Sequence, residues 1–109
     1  MFAKPFNVKE LLSRYGAGQR DFRNLNLMAA NMRNLNLSGI NLSGANLTNA
    51  NLSGTNLSRT NLSNTVLKGT NLTNANLTQA NLTNVDLDQV DLSRAVTHGA
   101  ILPVTAEQS

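Results

Sequence analysis

The chain repeats a five-residue pattern without insertion from Arg20 to Val104, which makes seventeen consecutive units. The third residue of each unit, called position i, is large and apolar in every unit except the one that contains Thr97. A short period sustained over this length indicates an architecture in which neighbouring units share one core. In chain order, position i is Phe22, Leu27, Met32, Leu37, Leu42, Leu47, Leu52, Leu57, Leu62, Leu67, Leu72, Leu77, Leu82, Leu87, Leu92, Thr97 and Leu102.

The other positions of the unit are also restricted. Position i−1 is Asn in most units and becomes Asp at Asp86 and Asp91. Position i+1 is mostly Ser or Thr, and position i+2 is Gly or Asn in eleven of the seventeen units. Position i−2 is small or apolar in nearly every unit. Its exceptions are Arg20 and a threonine run at Thr55, Thr60, Thr65 and Thr70.

Neither a straight α-helix nor a flat strand buries every position i. In an α-helix, a step of five residues rotates successive side chains by about 140°, so they form no single apolar stripe. In a strand, side chains alternate with period two, so an odd step places successive leucines on opposite faces. A chain that bends the same way at every unit directs positions i−2 and i to one axis. The Gly/Asn-rich position i+2 then supplies the positive φ that a corner needs.

The units ANLSG, ANLTN, TNLSR, TNLSN and ANLTQ resemble those of the pentapeptide-repeat family, closely over residues 20–95 and less well over 96–104. Periodicity alone does not distinguish three sides from four. The resemblance implies an all-β solenoid: a right-handed quadrilateral β-helix of about four coils, with position i from Phe22 to Leu92 as its core ladder. The segment NVKELLSRYGAGQRDF is similar to the leader of cyanobacterial members. For the inward threonine run, we expect neighbouring backbone carbonyls in the same coil as hydrogen-bond partners.

Residues 1–19 form a predicted capping segment in front of the repeats. Asn7 followed by Glu10 resembles a capping box, and Gly16 is a natural helix stop, so we predict a helix over about residues 8–15. Its apolar stripe should cover the open first coil and protect the backbone groups there. The predicted stripe consists of Val8, Leu11, Leu12 and Tyr15.

The C-terminal end lacks a comparable cap. We assign residues 20–104 to the β-helix and residues 105–109 to a polar tail. An uncapped coil should either be covered by its own chain or pair with a copy. Because family members often dimerise through C-terminal coils, the resemblance favours a homodimer with contacts at Ile101, Leu102 and Val104.

Few residues are candidates for catalysis or for binding a metal or cofactor. His98 is the only histidine, and the cluster of Asp86, Asp88 and Asp91 lacks the glycine and distal glutamate of an EF-hand loop. We therefore predict a non-enzymatic protein without catalytic residues, cofactor or metal, and interpret these side chains as solvated. The arginines of the first third have two interpretations, solvated charge or an anion-binding patch. They include Arg14, Arg20 and Arg23.

Composition narrows the function classes further. The absence of cysteine excludes disulfides and thiol catalysis, and the net charge of +3 is modest. No apolar run approaches the length of a membrane span, and the first residues lack the features of a secretory signal. We expect a cytoplasmic protein that does not enter a membrane or bind nucleic acid directly.

The leading functional hypothesis is a scaffold or protein-interaction module whose partner the sequence does not identify. The alternative is inhibition or protection of a type II topoisomerase, DNA gyrase, by mimicry of DNA, as known for some longer family members. Mimicry requires an acidic rod, whereas this chain is basic. Ice binding by outward hydroxyl ladders is disfavoured because one such column reads Met28, Thr48, Lys68, Asp88.

Overall fold

The computed structural model describes residues 4–104. This range contains one α-helix, α1 (Val8–Gly16), followed by the repeating coils. The first three residues of the predicted capping segment and the whole predicted tail, 105–109, lie outside the described residues.

Helix α1 begins at a side-chain cap. The side-chain oxygen of Asn7 accepts hydrogen bonds from the backbone amides of Lys9 (2.8 Å) and Glu10 (3.3 Å), which have no partner inside the helix. The Glu10 carboxylate pairs with Arg14 one turn later at 3.0 Å. The sequence therefore predicted the N-cap residue, Asn7, correctly. The glutamate of the predicted capping box, Glu10, takes part in an ion pair within the helix.

The helix ends slightly later than predicted. Gly16 is its last residue, and the left-handed conformation that follows belongs to Gly18, with φ of 102°. Leu11 is fully buried in the core of the solenoid. The remaining residues of the predicted stripe are partly buried against that core, and they are Val8, Leu12 and Tyr15.

Each coil of the solenoid takes twenty residues. Parallel bridges join Asp21 to Asn41, Asn41 to Asn61, Asn61 to Asn81 and Asn81 to Ile101. Further columns of bridges begin at the units that follow, so the coil has four sides of five residues. We name the sides A to D in chain order. In the first coil they are residues 20–24, 25–29, 30–34 and 35–39.

The pairing consists of single bridges, and residues 4–104 contain no continuous strand. The predicted β-helix is therefore not built from extended sheets, because the corner at i+1 and i+2 interrupts every side. Hydrogen bonding between coils is nevertheless regular. The amide of Leu47 donates to the carbonyl of Val66 at 2.8 Å, and the amide of Asn49 donates to that of Lys68 at 2.9 Å.

The core ladder fills the interior for most of its length. Position i is buried in every unit from Phe22 to Leu82. Leu87 and Leu92, which the sequence placed in the same ladder, are only partly buried. They belong to the last coil, and no further coil covers them within the described residues.

The hydroxyls of the threonine run are satisfied by backbone carbonyls, as expected, but mostly by carbonyls of the preceding coil and not of the same one. Thr70 donates to the carbonyl of Leu47, 23 residues earlier, at 2.7 Å. Two others also donate to carbonyls 23 residues back. Thr65 instead donates within its own coil, to the carbonyl of Leu62 at 2.8 Å. The polar interior of this coil therefore leaves no hydroxyl without a partner.

Position i+2 forms the predicted corner. It has positive φ, between 56° and 71°, in every unit from 20–24 to 95–99 except the one that ends at Arg94. The conformation does not depend on glycine or asparagine, because four other residues adopt it. These are Ala29, Arg59, Gln79 and Gln89.

Replacing Ala29 by glycine should stabilise the protein. A residue with a Cβ is strained at φ of 57°, and glycine relieves that strain. We expect a gain of about 0.5–1 kcal/mol in the free energy of unfolding, measured by urea denaturation. The neighbouring Ala30→Gly is the matched control and should lower stability, since Ala30 packs against the core with negative φ. Equal losses from both substitutions would contradict this account of the corner.

Candidate interaction surface

The outer walls are built from a repeated pair of an asparagine and a hydroxyl residue. The side-chain oxygen of Asn46 accepts from the backbone amide (3.1 Å) and the hydroxyl (2.6 Å) of Thr48. Because the backbone amide only donates, the asparagine oxygen must face it and the NH₂ group must point away. The walls therefore present columns of neutral amide donors about 4.8 Å apart. The same pair joins Asn51 to Ser53, Asn56 to Ser58, Asn61 to Ser63 and Asn76 to Thr78.

The stacking changes in the terminal coil, which we define as residues 85–104. No bridge joins Val66 to Asp86 on side B. Instead, the amide of Gly69 donates to the carbonyl of Gln89 at 3.2 Å, one residue beyond the regular acceptor, and the next side is shifted in the same way. A cleft of about 490 Å³, lined in part by Val66, Lys68, Asp86 and Gln89, lies at this step.

The terminal coil also exposes apolar side chains. Ile101 is 56% exposed, Leu102 46% and Val104 76%. Together with Val85 and Asp86, these three residues line a second cavity of about 510 Å³. The residues predicted as dimer contacts therefore lie together at the C-terminal end of the rod, next to a carboxylate.

The backbone edge at the N-terminal end is partly paired. In later coils, the carbonyls at positions i−1 and i+1 accept hydrogen bonds from the preceding coil. In the first coil, three of these carbonyls accept instead from the segment that precedes it or from a side chain of α1. The donors are the Gln19 side chain to Asp21 (3.0 Å), the Phe6 amide to Asn26 (2.7 Å) and the Tyr15 hydroxyl to Ser38 (2.7 Å). These bonds occupy part of the edge that the first coil would otherwise offer to another chain.

The backbone edge at the C-terminal end has no partner among residues 4–104. In regular coils, the amide at position i donates to the following coil and the carbonyl at i−2 accepts from it. Among residues 4–104, the amides of Leu87 and Leu92 and the carbonyls of Val85 and Val90 have no such partner. Within the described residues, this end of the rod is therefore an unpaired edge beside two partly buried leucines.

In the terminal coil, two aspartates occupy position i−1 in place of asparagine and make the outer wall acidic. One oxygen of Asp86 accepts from the amide of Asp88 at 2.9 Å, and one oxygen of Asp91 accepts from the amide (2.8 Å) and hydroxyl (2.6 Å) of Ser93. The hydrogen bond from the Ser93 hydroxyl, followed by that from its amide, lowers the pKa of Asp91. The second carboxylate oxygen takes the outward place of the amide donor. Asp86, Asp88 and Asp91 form no ion pair and no metal-ligand cluster within the described residues.

The N-terminal arginines contact groups of their own chain. Arg14 pairs with Glu10 and lies over the Phe6 ring at 5.4 Å, whereas Arg20 stacks on the Tyr15 ring at 3.7 Å. The third arginine, Arg23, donates two side-chain hydrogen bonds to the carboxylate of Asp21. This pairing lowers the pKa of Asp21 and raises that of Arg23. These contacts favour structural roles over the predicted alternative of an anion-binding patch.

His98 is exposed on side D and, like the three aspartates, belongs to the terminal coil. Met28 is exposed, as its place in an outward column predicted, whereas the sequence analysis did not identify the exposed side chains of Val66 and Val96. The signal was present, since each occupies an outward position normally held by a polar residue. No helix among the described residues is long and apolar enough to span a membrane.

Comparisons with known proteins agree with this geometry. The family model described as "Pentapeptide repeats" matches residues 26–64 and 60–96. No curated protein matches the chain significantly. Among solved structures, the pentapeptide-repeat protein alr5209 from Nostoc PCC 7120 is 32% identical with a TM-score of 0.59, over 94% of this chain and 91% of its own.

Two longer structures also match. HetL, a pentapeptide-repeat protein of Nostoc sp. PCC 7120 involved in regulation of heterocyst differentiation, is 35% identical with a TM-score of 0.51, over 87% of this chain and 42% of its own. QnrB1, a plasmid-mediated fluoroquinolone resistance protein, is 24% identical with a TM-score of 0.40 over 75% of this chain and 55% of its own, and this likeness concerns the fold alone. Proteins with these repeats form right-handed quadrilateral β-helices. The chain belongs to the pentapeptide-repeat family.

Proposed function

We propose that this chain is a non-enzymatic protein-interaction module that binds its partner with the C-terminal end of the rod. The observation that carries the proposal is the difference between the two ends. The N-terminal edge is partly paired, by α1 and three hydrogen bonds, whereas the C-terminal edge has no partner among residues 4–104 and displays Ile101, Leu102 and Val104. Exposed apolar groups beside free backbone donors favour association with another chain.

The regular walls give this end a rigid support. Their interior is filled with buried leucines, and their outer groups are neutral and locally hydrogen-bonded. DNA mimicry, the alternative, would need carboxylates along the rod, but the middle coils carry asparagine at position i−1. No feature of the walls favours that alternative.

The proposal is tested by affinity capture from lysate of the source cells, with quantitative mass spectrometry. The end variant carries Ile101→Ser and Leu102→Ser, which remove exposed apolar groups without changing the buried ladder. Its matched control carries Ser43→Ala and Ser63→Ala on the same side in the middle coils. We expect a protein that is recovered with the wild type and the control and at least about tenfold less with the end variant, the ratio given by loss of about 1.4 kcal/mol of binding free energy. Equal recovery, or no protein above background, would contradict the proposal.

The predicted homodimer concerns the same surface. A second copy that docked with its own terminal coil would bring the same excess of carboxylates to the contact. Asp86, Asp88 and Asp91 against Arg94 give this coil a net charge of −2, in a chain of net charge +3. Self-association through this end therefore opposes like charges, and a partner of opposite charge fits it better.

A further inference from the structure

We infer that the terminal coil binds a basic peptide segment that follows the bent path of the coils and adds one further layer to the rod, with Arg or Lys placed against Asp86 and Asp91. This inference rests on the proposed function and names the chemistry of the partner. Three properties of the end determine that chemistry: its free backbone edge, its apolar inner side and its acidic outer side.

The free edge determines the conformation of the partner. The amides of Leu87 and Leu92 and the carbonyls of Val85 and Val90 are the groups that a following coil would meet, and none is paired within residues 4–104. A segment that follows the same bent path along this edge forms the hydrogen bonds of a further coil. Its side chains then alternate between the axis and the outer wall.

The inner side determines the first specificity element. Leu87 and Leu92 are partly buried, although position i is buried in every unit from Phe22 to Leu82. A large apolar side chain that points to the axis above either leucine removes that leucine from water. Since the two leucines are five residues apart, a segment that follows the corner carries two such apolar residues at the same spacing.

The outer side determines the second element. At Asp86 and Asp91, one carboxylate oxygen is held by the backbone of its own unit and the other replaces the amide donor of the regular wall. A residue stacked on either aspartate lies about 4.8 Å away, so a basic side chain there is attracted and an acidic one is repelled. The partner therefore carries Arg or Lys directly before each apolar residue.

The test uses two fluorescein-labelled synthetic peptides, ARLSGARLSG and its matched control ADLSGADLSG, and fluorescence anisotropy with the full chain. We expect the arginine peptide to bind about tenfold more tightly than the aspartate peptide, and its affinity to fall as NaCl rises from about 50 to 500 mM. The double variant Asp86→Asn, Asp91→Asn restores the regular wall residue and should weaken binding of the arginine peptide about fivefold. Asp21→Asn, the same change at the opposite end, should alter it less than about twofold.

Equal affinities for the two peptides, an unchanged affinity of the double variant, or failure of the arginine peptide to bind would overturn this inference. A stable dimer, detected by light scattering, that blocks the arginine peptide would also overturn it and assign the end to a second copy. If the peptide fails while cellular capture still depends on Ile101 and Leu102, the proposed function stands and only the basic chemistry of the partner is wrong. If both fail, the end of the rod is not an interaction site.

Discussion

Replacing Leu62 by lysine is expected to prevent folding. Leu62 is fully buried in a middle coil, and its side chain packs among leucines on all sides of the axis. The substitution removes a buried apolar side chain, which costs about 2–5 kcal/mol, and adds the cost of an unpaired buried charge. A domain of this size has a stability of only about 5–15 kcal/mol. Circular dichroism and urea denaturation should show an unfolded chain or one of greatly reduced stability.

The matched control places the same lysine one residue later. Ser63 lies at the outward position i+1 of the same unit, where its hydroxyl bonds to Asn61 at 2.7 Å. Ser63→Lys should therefore fold, with a loss of about 1 kcal/mol or less. Two variants of similar stability would show that position i does not point to the axis.

Removing residues 1–16 should cause the protein to aggregate. Leu11 is fully buried, the Tyr15 hydroxyl bonds to the carbonyl of Ser38, and the Phe6 amide bonds to that of Asn26. The deletion exposes the apolar end of the first coil and frees two backbone carbonyls together, which leaves an unprotected edge. Size-exclusion chromatography with light scattering should show species larger than those of the full chain.

A control for this deletion keeps the segment and weakens its cap. Asn7→Ala removes the side-chain acceptor for the first amides of α1 and should cost about 1 kcal/mol without changing the oligomeric state. If the shortened chain remains as soluble as the Asn7→Ala variant, α1 does not protect the first coil.

The repeat made most of this architecture predictable. A period of five excludes a straight helix and a flat strand, so the inward direction of position i followed from the sequence. The partial exposure of Leu87 and Leu92 did not follow, because it depends on what lies beyond the last coil and not on the units themselves. Likewise, glycine and asparagine indicated the corners, but Ala29 and Arg59 adopt the same backbone because the four-sided path imposes it.

The candidate interaction surface was only partly visible in the sequence. Ile101 and Val104 were identified as extra apolar residues beside the in-register Leu102 at an uncapped end, and the structure places all three beside Asp86 in one cavity. The shifted hydrogen bonds of Gly69 and the capped carbonyls of the first coil depend on contacts between residues far apart in the chain. Neither feature leaves a local pattern, so sequence reasoning did not reveal the contrast between the two ends.

The central claim is that the open C-terminal edge is the binding surface, and amide hydrogen exchange with mass spectrometry tests it most directly. Exchange is measured on the full chain with and without the arginine peptide. We predict slower exchange within residues 85–104, including the amides of Leu87 and Leu92, and unchanged exchange in residues 40–79. Protection confined to the walls of the middle coils, or no protection in the terminal coil at saturating peptide, would contradict the claim.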